Sequence, residues 1–365
     1  MTAPERPPTI YDVAKAAGVA ASTVSRAFAR PGRVNSETAR RIREAAAELG
    51  YRANPIARAL PTGKTSMIAL VISDVTNPFH NEIIRGAQAA AAEAGYTMLL
   101  SDAQESGARE RETLDRALSA VDGIVLATSR MSDSSIRTIA KQRPVVLLNR
   151  ALADVPCVVT DNPRGMHHAA AHLAELGHSR VTYLAGPEAS WADGMRWRSL
   201  REGAADLGLH ARRIGPFAPT VAGGGAAAAE FVHHPTSAVI AYNDLMAIGF
   251  IRALTARGAR IPREVSVVGF DNIFAADLVT PPLTTVAAPL HAMGLTAVRN
   301  LLAIARGAQP RAQEPVSLPA RLVVRASTAQ RSRNRTSPAW GTTRVSPSPS
   351  AVAAKASRST AAGSR

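Results

Sequence analysis

The chain has 365 residues, 46% of them apolar, a single cysteine and a formal net charge of +15; it can bury more than one core and cannot hold an intrachain disulfide framework. No uncharged apolar run approaches the roughly 18 residues of a membrane span, and no basic, apolar and small-residue export signal opens the chain, so a cytoplasmic protein without membrane contact is expected. Residues 1–60 carry ten Lys/Arg against five Asp/Glu and residues 331–365 carry seven against none, which assigns any polyanion to the ends rather than to the near-neutral middle.

Three short helical stretches come first. Tyr11–Ala17 is interrupted by Gly18 and Val19, and Ala21–Phe28 follows directly. After Pro31–Gly32, Asn35 or Ser36 caps a third helix with Val34, Thr38, Ile42, Ala45, Ala46 and Leu49 as its apolar stripe, and Gly50 ends it. Three short helices with a tight turn after the first describe a helix-turn-helix unit. From residue 66 short apolar strands alternate with helices. The strand candidates are Met67–Ile72, Thr97–Ser101, Gly123–Ala127, Val145–Asn149 and Val158–Thr160, then Arg180–Ala185, Arg213–Gly215, Ala238–Ala241, Ser266–Phe270 and Thr284–Ala287. Phe79–Glu93, Arg109–Ala120, Gly165–Leu176, Ala192–Asp206, Asp244–Arg257 and His291–Ala305 are the helices between them. That alternation gives parallel sheets covered on both faces, and two such series imply a two-lobed α/β core. Ligands are expected beyond the carboxyl ends of the strands, where Ser73, Asp74, Asn77, Asn149, Arg150, Asp161, Asn162, Tyr242–Asp244, Asp271 and Asn272 lie. The expected division is a disordered lead (1–8), a helix-turn-helix domain (9–52), a hinge helix (53–62), the two-lobed effector-binding and dimerisation core (63–326) and a basic disordered tail (327–365), the last Ser/Pro/Arg-rich with little to bury.

The segment TIYDVAKAAGVAASTVSRAFARPGRVNSETARRIREAAAELGYRANPIARAL resembles the lactose/galactose repressor family, and the resemblance continues through NPFHNEIIRGAQAAAAEAGY, DNPRGMHHAAAHLAELGHSRVTYLAGP, AYNDLMAIGFIRAL and PREVSVVGFDNIFAADLVTPPLTTV. It implies an all-α DNA-binding headpiece joined to a core like the periplasmic sugar-binding proteins, and a regulator, chiefly a repressor, whose operator affinity is set by a small molecule held between the core lobes. Ala21–Arg26 would begin the recognition helix. Val24 faces the first helix with Val13, while Ser22 and Arg26 read base edges and Ala21 offers apolar contact. Thr23, Ser25, Lys15, Asn35 and Arg40 act as phosphate clamps that fix register. Ala20 stands where the family commonly has a Ser cap. In the hinge, Leu60 would wedge between base steps, supported by Asn54, Ala57 and Arg58, with Pro61 ending the helix at once. A helix this short is marginal alone, which makes it responsive to DNA and partner contacts.

For the effector, the resemblance implies Asn77, Phe79 and Asn149 from the first lobe and Asp161, Arg196, Phe217, Asn243 and Asp271 from the second. A ring for an apolar sugar face beside carboxylate and guanidinium groups suits a monosaccharide or a nucleoside. Asn149 replaces the Asp of many relatives, and Ser199 a Gly. A homodimer on twofold-symmetric double-stranded operator DNA is expected, and the tail lacks the leucine-bearing helix that tetramers of the family use. No cofactor is implied. An enzyme is disfavoured: His167, His168 and His172 have no accompanying metal-ligand motif, Gly223–Gly225 lacks a phosphate-loop Lys, and no GxSxG occurs. An exported sugar-binding protein would explain residues 66–326 but not the basic N-terminus. A purine or other metabolite as effector, and activation rather than repression, are the remaining alternatives.

Overall fold

The computed structural model describes residues 6, 8–29, 32–51, 64–309 and 314–331. The predicted hinge, with Asn54, Ala57, Arg58 and Leu60, lies outside the described residues, as does the chain beyond 331.

The headpiece consists of α1 (Ile10–Ala16), α2 (Ala21–Ala29) and α3 (Ser36–Glu48). Their contact is built from small residues around Val13, Val24 and Ile42, each with no exposed surface, and Phe28 and Tyr51 close it with ring centroids 6.0 Å apart. Gly18 takes a positive φ of 66° in the turn between α1 and α2, a conformation that costs a side-chain-bearing residue, and Arg41 Nη2 donates to Ala17 O at 2.7 Å to brace that turn. The predicted stripe on α3 is corrected at one end: Leu49 is 40% exposed, and Ala39 is buried in the stripe instead.

The remainder divides into two compact units. The first contains residues to Thr76, then His80–Val159 and His291–Val316, and the second Asn77–Phe79, Thr160–Leu290 and the chain from Ser317. Asn77 and Phe79, expected from the first lobe, therefore belong with the second.

In the first sheet β1 (Met67–Ile72), β2 (Thr97–Asp102), β3 (Gly123–Ala127), β4 (Val145–Leu148), β5 (Cys157–Thr160) and β11 (Val316–Leu318) run in the order β2-β1-β3-β4-β5-β11. Leu70 of β1 pairs with Leu100 on one side and Val125 on the other, all parallel. Its helices are α4 (Phe79–Glu93), α5 (Gly107–Ala117), α6 (Asp133–Ala140) and α12 (Leu290–Ala305). On α4, Ile83, Ala87, Ala90 and Ala91 form the buried stripe at helical spacing. At Gly86 an added Cβ would stand 2.0 Å from His291 O and at Gly294 2.0 Å from Ile83 O, so α4 and α12 cross at backbone contact.

The second sheet repeats the order: β7 (His210–Ile214), β6 (Arg180–Leu184), β8 (Ala238–Ala241), β9 (Ser266–Asp271), β10 (Thr284–Ala287) and β12 (Arg321–Val323), the last antiparallel to β10. The helices are α7 (Asn162–Glu175), α8 (Trp191–Ala204), α9 (Val221–Phe231), α10 (Asp244–Ala256) and α11 (Ala275–Leu278). The glycine run at 223–225 is not a loop but the first turns of α9, where Gly224 and Gly249 let α9 and α10 touch backbone to backbone. The strand expected at Arg213–Gly215 is β7, begun three residues earlier.

The tail boundary also moves. Ser327 has no exposed surface, receives Thr284 N and donates to Val267 O, while Arg331 N donates to Leu176 O. His178, buried, spans Ser237 Oγ at 2.8 Å and Ser266 Oγ at 3.0 Å. Residues 327–331 are therefore part of the second unit.

Candidate functional site

Both sheets have their topological switch between the first strand and the third, the point at which open parallel sheets bind ligands beyond the strand ends. The backbone at the strand ends is strained: Thr128 (φ 59°), beside the switch of the first sheet, and Asn149 (55°), Asp271 (111°) and Asn272 (57°), at the ends of β4 and β9, all have positive φ. Non-glycine residues hold such conformations only where their surroundings impose them, and such positions concentrate at binding sites.

In the second unit the site is organised by Arg196, whose side chain is 2% exposed. It reaches that depth because α8 is pinned at its start. Asp193 accepts from Tyr183 Oη at 2.9 Å and Gly186 N at 2.7 Å and pairs with Arg213 at 2.8 Å, while Ser190 Oγ caps the helix and lies 3.0 Å from Tyr242 Oη. Trp197 stacks on Tyr183 at 5.9 Å, a packing role. The Arg196 guanidinium lies 3.5 Å above the Phe270 ring centroid and 5.0 Å from that of Tyr242. Nε donates to Asn162 Oδ1 at 3.0 Å and Nη1 to Tyr242 O; Nη2 stands 3.5 Å from Asp271 Oδ1. Among the described residues Asp271 Oδ1 has no hydrogen-bond partner, and burial drives the Asp271 carboxyl well above the usual range against the opposing pull of Arg196. A planar cation with Nη2 free of any short hydrogen bond, beside a buried carboxylate without one, is an arrangement for a vicinal pair of hydroxyls or a comparable polar edge.

Beneath it lies Asp244, with no exposed surface. It accepts from Thr285 Oγ1 at 2.5 Å and from Ile273 N at 2.9 Å, and burial pushes it up to about 7. Asn243 caps α10 through Met246 N and donates to Pro219 O. Asp161 caps α7 through Arg164 N and is only partly buried, while its neighbour Asn162 makes the contact with Arg196. Phe217 is half-buried beside Gly215. Asn77 Oδ1 accepts from Phe79 N, and Phe79 is 4% exposed. Thus the structure brings Arg196 and Asp271 together and gives Asn243, Asp161 and Asn77 cap bonds of their own. Asn162, Tyr242 and Asp244 stood among the expected strand-end residues but not in the effector set the resemblance implied, and Phe270 was in neither. The adjacent motifs DNP, AYND and GFD carried a signal for them, but which member of each faces inward depends on the strand ends.

In the first unit Asn149 is 4% exposed and its Oδ1 has no partner among the described residues. His80, also unforeseen, is fully buried; burial lowers it to about 3, so it is neutral. Its Nε2 lies 3.3 Å from Ser73 Oγ, which is 2.8 Å from Thr128 Oγ1. Thr128 Oγ1 faces both Ser73 Oγ and Ala127 O, the latter 2.6 Å away, and has one proton to give to them.

On the headpiece, Ser22 and Arg26 are exposed one turn apart on α2, with Ala21, Thr23 and Ser25 half-buried beside them and Val24 and Ala27 on the opposite, buried face. The first turn of α2 forms without a side-chain cap, Thr23 N and Val24 N bonding to Ala20 O. Lys15 is exposed on α1. Asn35 caps α3 through Glu37 N, and Arg40 is paired with Glu37 and Glu44, so a phosphate would have to displace those carboxylates.

Residues 9–54 match the model of the bacterial regulatory proteins of the lacI family, and residues 170–328 that of the periplasmic binding protein-like domain. The HTH-type transcriptional regulator DegA of Bacillus subtilis is 34% identical over 331 residues, 88% of this chain and 98% of the relative. The chain belongs to the LacI family. It is a DNA-binding transcriptional regulator with a small-molecule-binding core, not an enzyme. Among solved LacI-family structures, the lac repressor dimer bound to operator and the anti-inducer ONPF is 25% identical with a TM-score of 0.79, covering 89% of this chain and 100% of that one. The complex of the transcriptional regulator CelR with cellobiose is 30% identical with a TM-score of 0.65, covering 88% and 99%. Among the described residues no cluster of His, Cys, Asp or Glu is arranged to hold a metal, and no helix is long and apolar enough to cross a membrane.

Proposed function

We propose that the protein is a repressor that binds a twofold-symmetric operator as a homodimer and changes its affinity for that operator when a small sugar-like molecule occupies the Arg196–Asp271 site. The observation that carries the effector class is the Arg196 guanidinium laid on Phe270 with Nη2 and the Asp271 carboxylate adjacent. An aromatic floor with convergent charged donors and acceptors discriminates hydroxylated rings, because a buried polar group left unpaired by the wrong ligand is costly. Cellobiose in CelR supports the same class. Asn77, Phe79, Asn149, Asp161, Phe217 and Asn243 are assigned supporting roles, most of them by fixing backbone that faces the ligand.

On DNA, Ser22 and Arg26 are the base readers, Arg26 suiting guanine O6 and N7. Ala21, Thr23, Ser25, Lys15, Asn35 and Arg40 contribute apolar and phosphate contacts. The hinge residues Asn54, Ala57, Arg58 and Leu60 keep their role as a minor-groove wedge in this reading. Fluorescence anisotropy of the full-length protein against a pool of twofold-symmetric duplexes at two salt concentrations, with and without a panel of mono- and disaccharides and nucleosides, tests the whole reading. Selective, salt-sensitive binding weakened about tenfold or more by one sugar supports it. A response to a nucleoside replaces the ligand class, ligand-enhanced binding reverses the sign, and equal weak binding to every duplex refutes the operator assignment.

A further inference from the structure

The route by which the core acts on the headpiece passes through one short stretch of chain. The described fold resumes at Lys64, and β1 begins at Met67. Lys64–Ser66 belong to no helix or strand, so their backbone groups need partners from elsewhere. One side chain supplies them. Asp122 Oδ1 accepts from Thr65 N at 2.7 Å and from Thr65 Oγ1 at 2.9 Å, and Oδ2 accepts from Ser66 N at 3.0 Å. Backbone bonds complete the knot: Asp122 N donates to Met67 O at 2.7 Å and Thr97 N to Ser66 O at 2.9 Å. Burial first and the Asp122 charge second push the Tyr96 phenol up, with Arg306 opposing. Ser66 is held at φ 55°, a conformation a serine keeps only when its surroundings impose it.

Asp122 directly precedes Gly123, the first residue of β3, whose five residues are all buried in the middle of the first sheet. The anchor is therefore rigid, and the chain it holds follows the headpiece in sequence. A carboxylate that gathers two amides and a hydroxyl transmits displacement in both directions, because losing it strands both amides at once.

We propose that Asp122 is the positioning residue that fixes the Thr65–Ser66 segment, through which the headpiece joins β1, to the first sheet, so that operator selectivity depends on its carboxylate. The proposal rests on the operator-binding reading above. The test uses full-length protein and its Asp122→Asn and Asp122→Ala variants with two probes: a twofold-symmetric duplex selected from a random pool by the unaltered protein, and a scrambled duplex of equal length. Amide hydrogen exchange is followed in parallel.

In Asp122→Ala, affinity for the selected duplex should fall about tenfold or more while that for the scrambled duplex stays within about twofold. Protection of the Thr65 and Ser66 amides should be lost while that of Ile124–Leu126 is kept. Asp122→Asn, retaining one acceptor oxygen, should fall between. Selected-duplex affinity unchanged in Asp122→Ala, despite lost protection at 65 and 66, would reduce the carboxylate to a turn cap and overturn the proposal. If β3 protection is lost as well, Thr65→Val carries the test: it removes the hydroxyl's bond to Asp122 and the 3.2 Å bond it accepts from Met67 N, keeps both amide bonds to the carboxylate, and should cost about threefold on the selected duplex, no loss again overturning the idea. Should the unaltered protein bind both duplexes equally, it is the operator-binding reading that fails.

Discussion

Replacing Arg196 with Met keeps most of the side-chain volume and removes the charge, leaving Asp271 buried without a counter-ion and Asn162 Oδ1 and Tyr242 O without their donor. Breaking a buried pair from one side costs about 3–5 kcal/mol, and the lost stacking on Phe270 adds on the order of 1–2 kcal/mol. Asp271 limits the loss by taking a proton. Its folded-state pKa is already raised by burial, and a raised carboxyl contributes stability that is present at low pH and lost as pH rises through the folded value. The penalty in Arg196→Met should therefore be largest near neutral pH and shrink as the solution is acidified. Urea unfolding followed by tryptophan fluorescence reads this directly, since Trp191 and Trp197 lie on the same helix as Arg196. Arg196→Met combined with Asp271→Asn should recover the part of the loss due to the stranded charge, while the lost stacking and the unpaired Asn162 Oδ1 and Tyr242 O remain. A single variant that loses less than about 1 kcal/mol, or a double variant no better than the single, would refute the claim that this ion pair organises the site.

Three further outcomes follow from the geometry. Asp244, raised by burial to about 7, makes the second unit lose stability as pH climbs from about 4 to 7, on the order of 2–4 kcal/mol; Asp244→Asn should flatten that slope in urea titrations at stepped pH. An alanine Cβ at Gly249 would stand 1.9 Å from Val221 O, so Gly249→Ala should force α9 and α10 apart and cost about 3 kcal/mol or more by the same unfolding assay. Arg26→Ala should weaken operator binding by about 1–3 kcal/mol and relax preference at one base pair per half-site, as read by binding to single-substituted duplexes; a uniform loss over all of them would mark Arg26 as a phosphate contact instead.

The architecture was legible because its signals are local. Apolar strands ending at Ile72, Ala127, Leu148 and Ala241 match the observed bounds within a residue, and Val13 and Val24, set face to face where the family resemblance and helical geometry agree, share one core. What escaped was set by distant packing. The glycine-rich Val221–Phe231 is not among the expected helices, and only with α10 laid against it do the absent side chains become the condition for contact. Nothing local marks His80, whose burial beside Ser73 is set by the packing of α4 on the first sheet. Asp161 and Asn162 are adjacent polar residues at a strand end; which caps the helix and which meets Arg196 is decided by where α7 begins.

The anchoring of Ser327 and Arg331 in the second sheet bears on how the molecule is made. Both units draw on chain beyond residue 290, and the second is not closed until residue 331 has been added. The headpiece, complete by Tyr51, leaves the ribosome first. At about 5–20 residues per second, roughly 15–60 s separate a finished DNA reader from a finished effector core. During that interval, and in any chain interrupted within it, the helix-turn-helix exists without the core that pairs it with a second copy and answers to the effector, so an incomplete copy carries a lone headpiece.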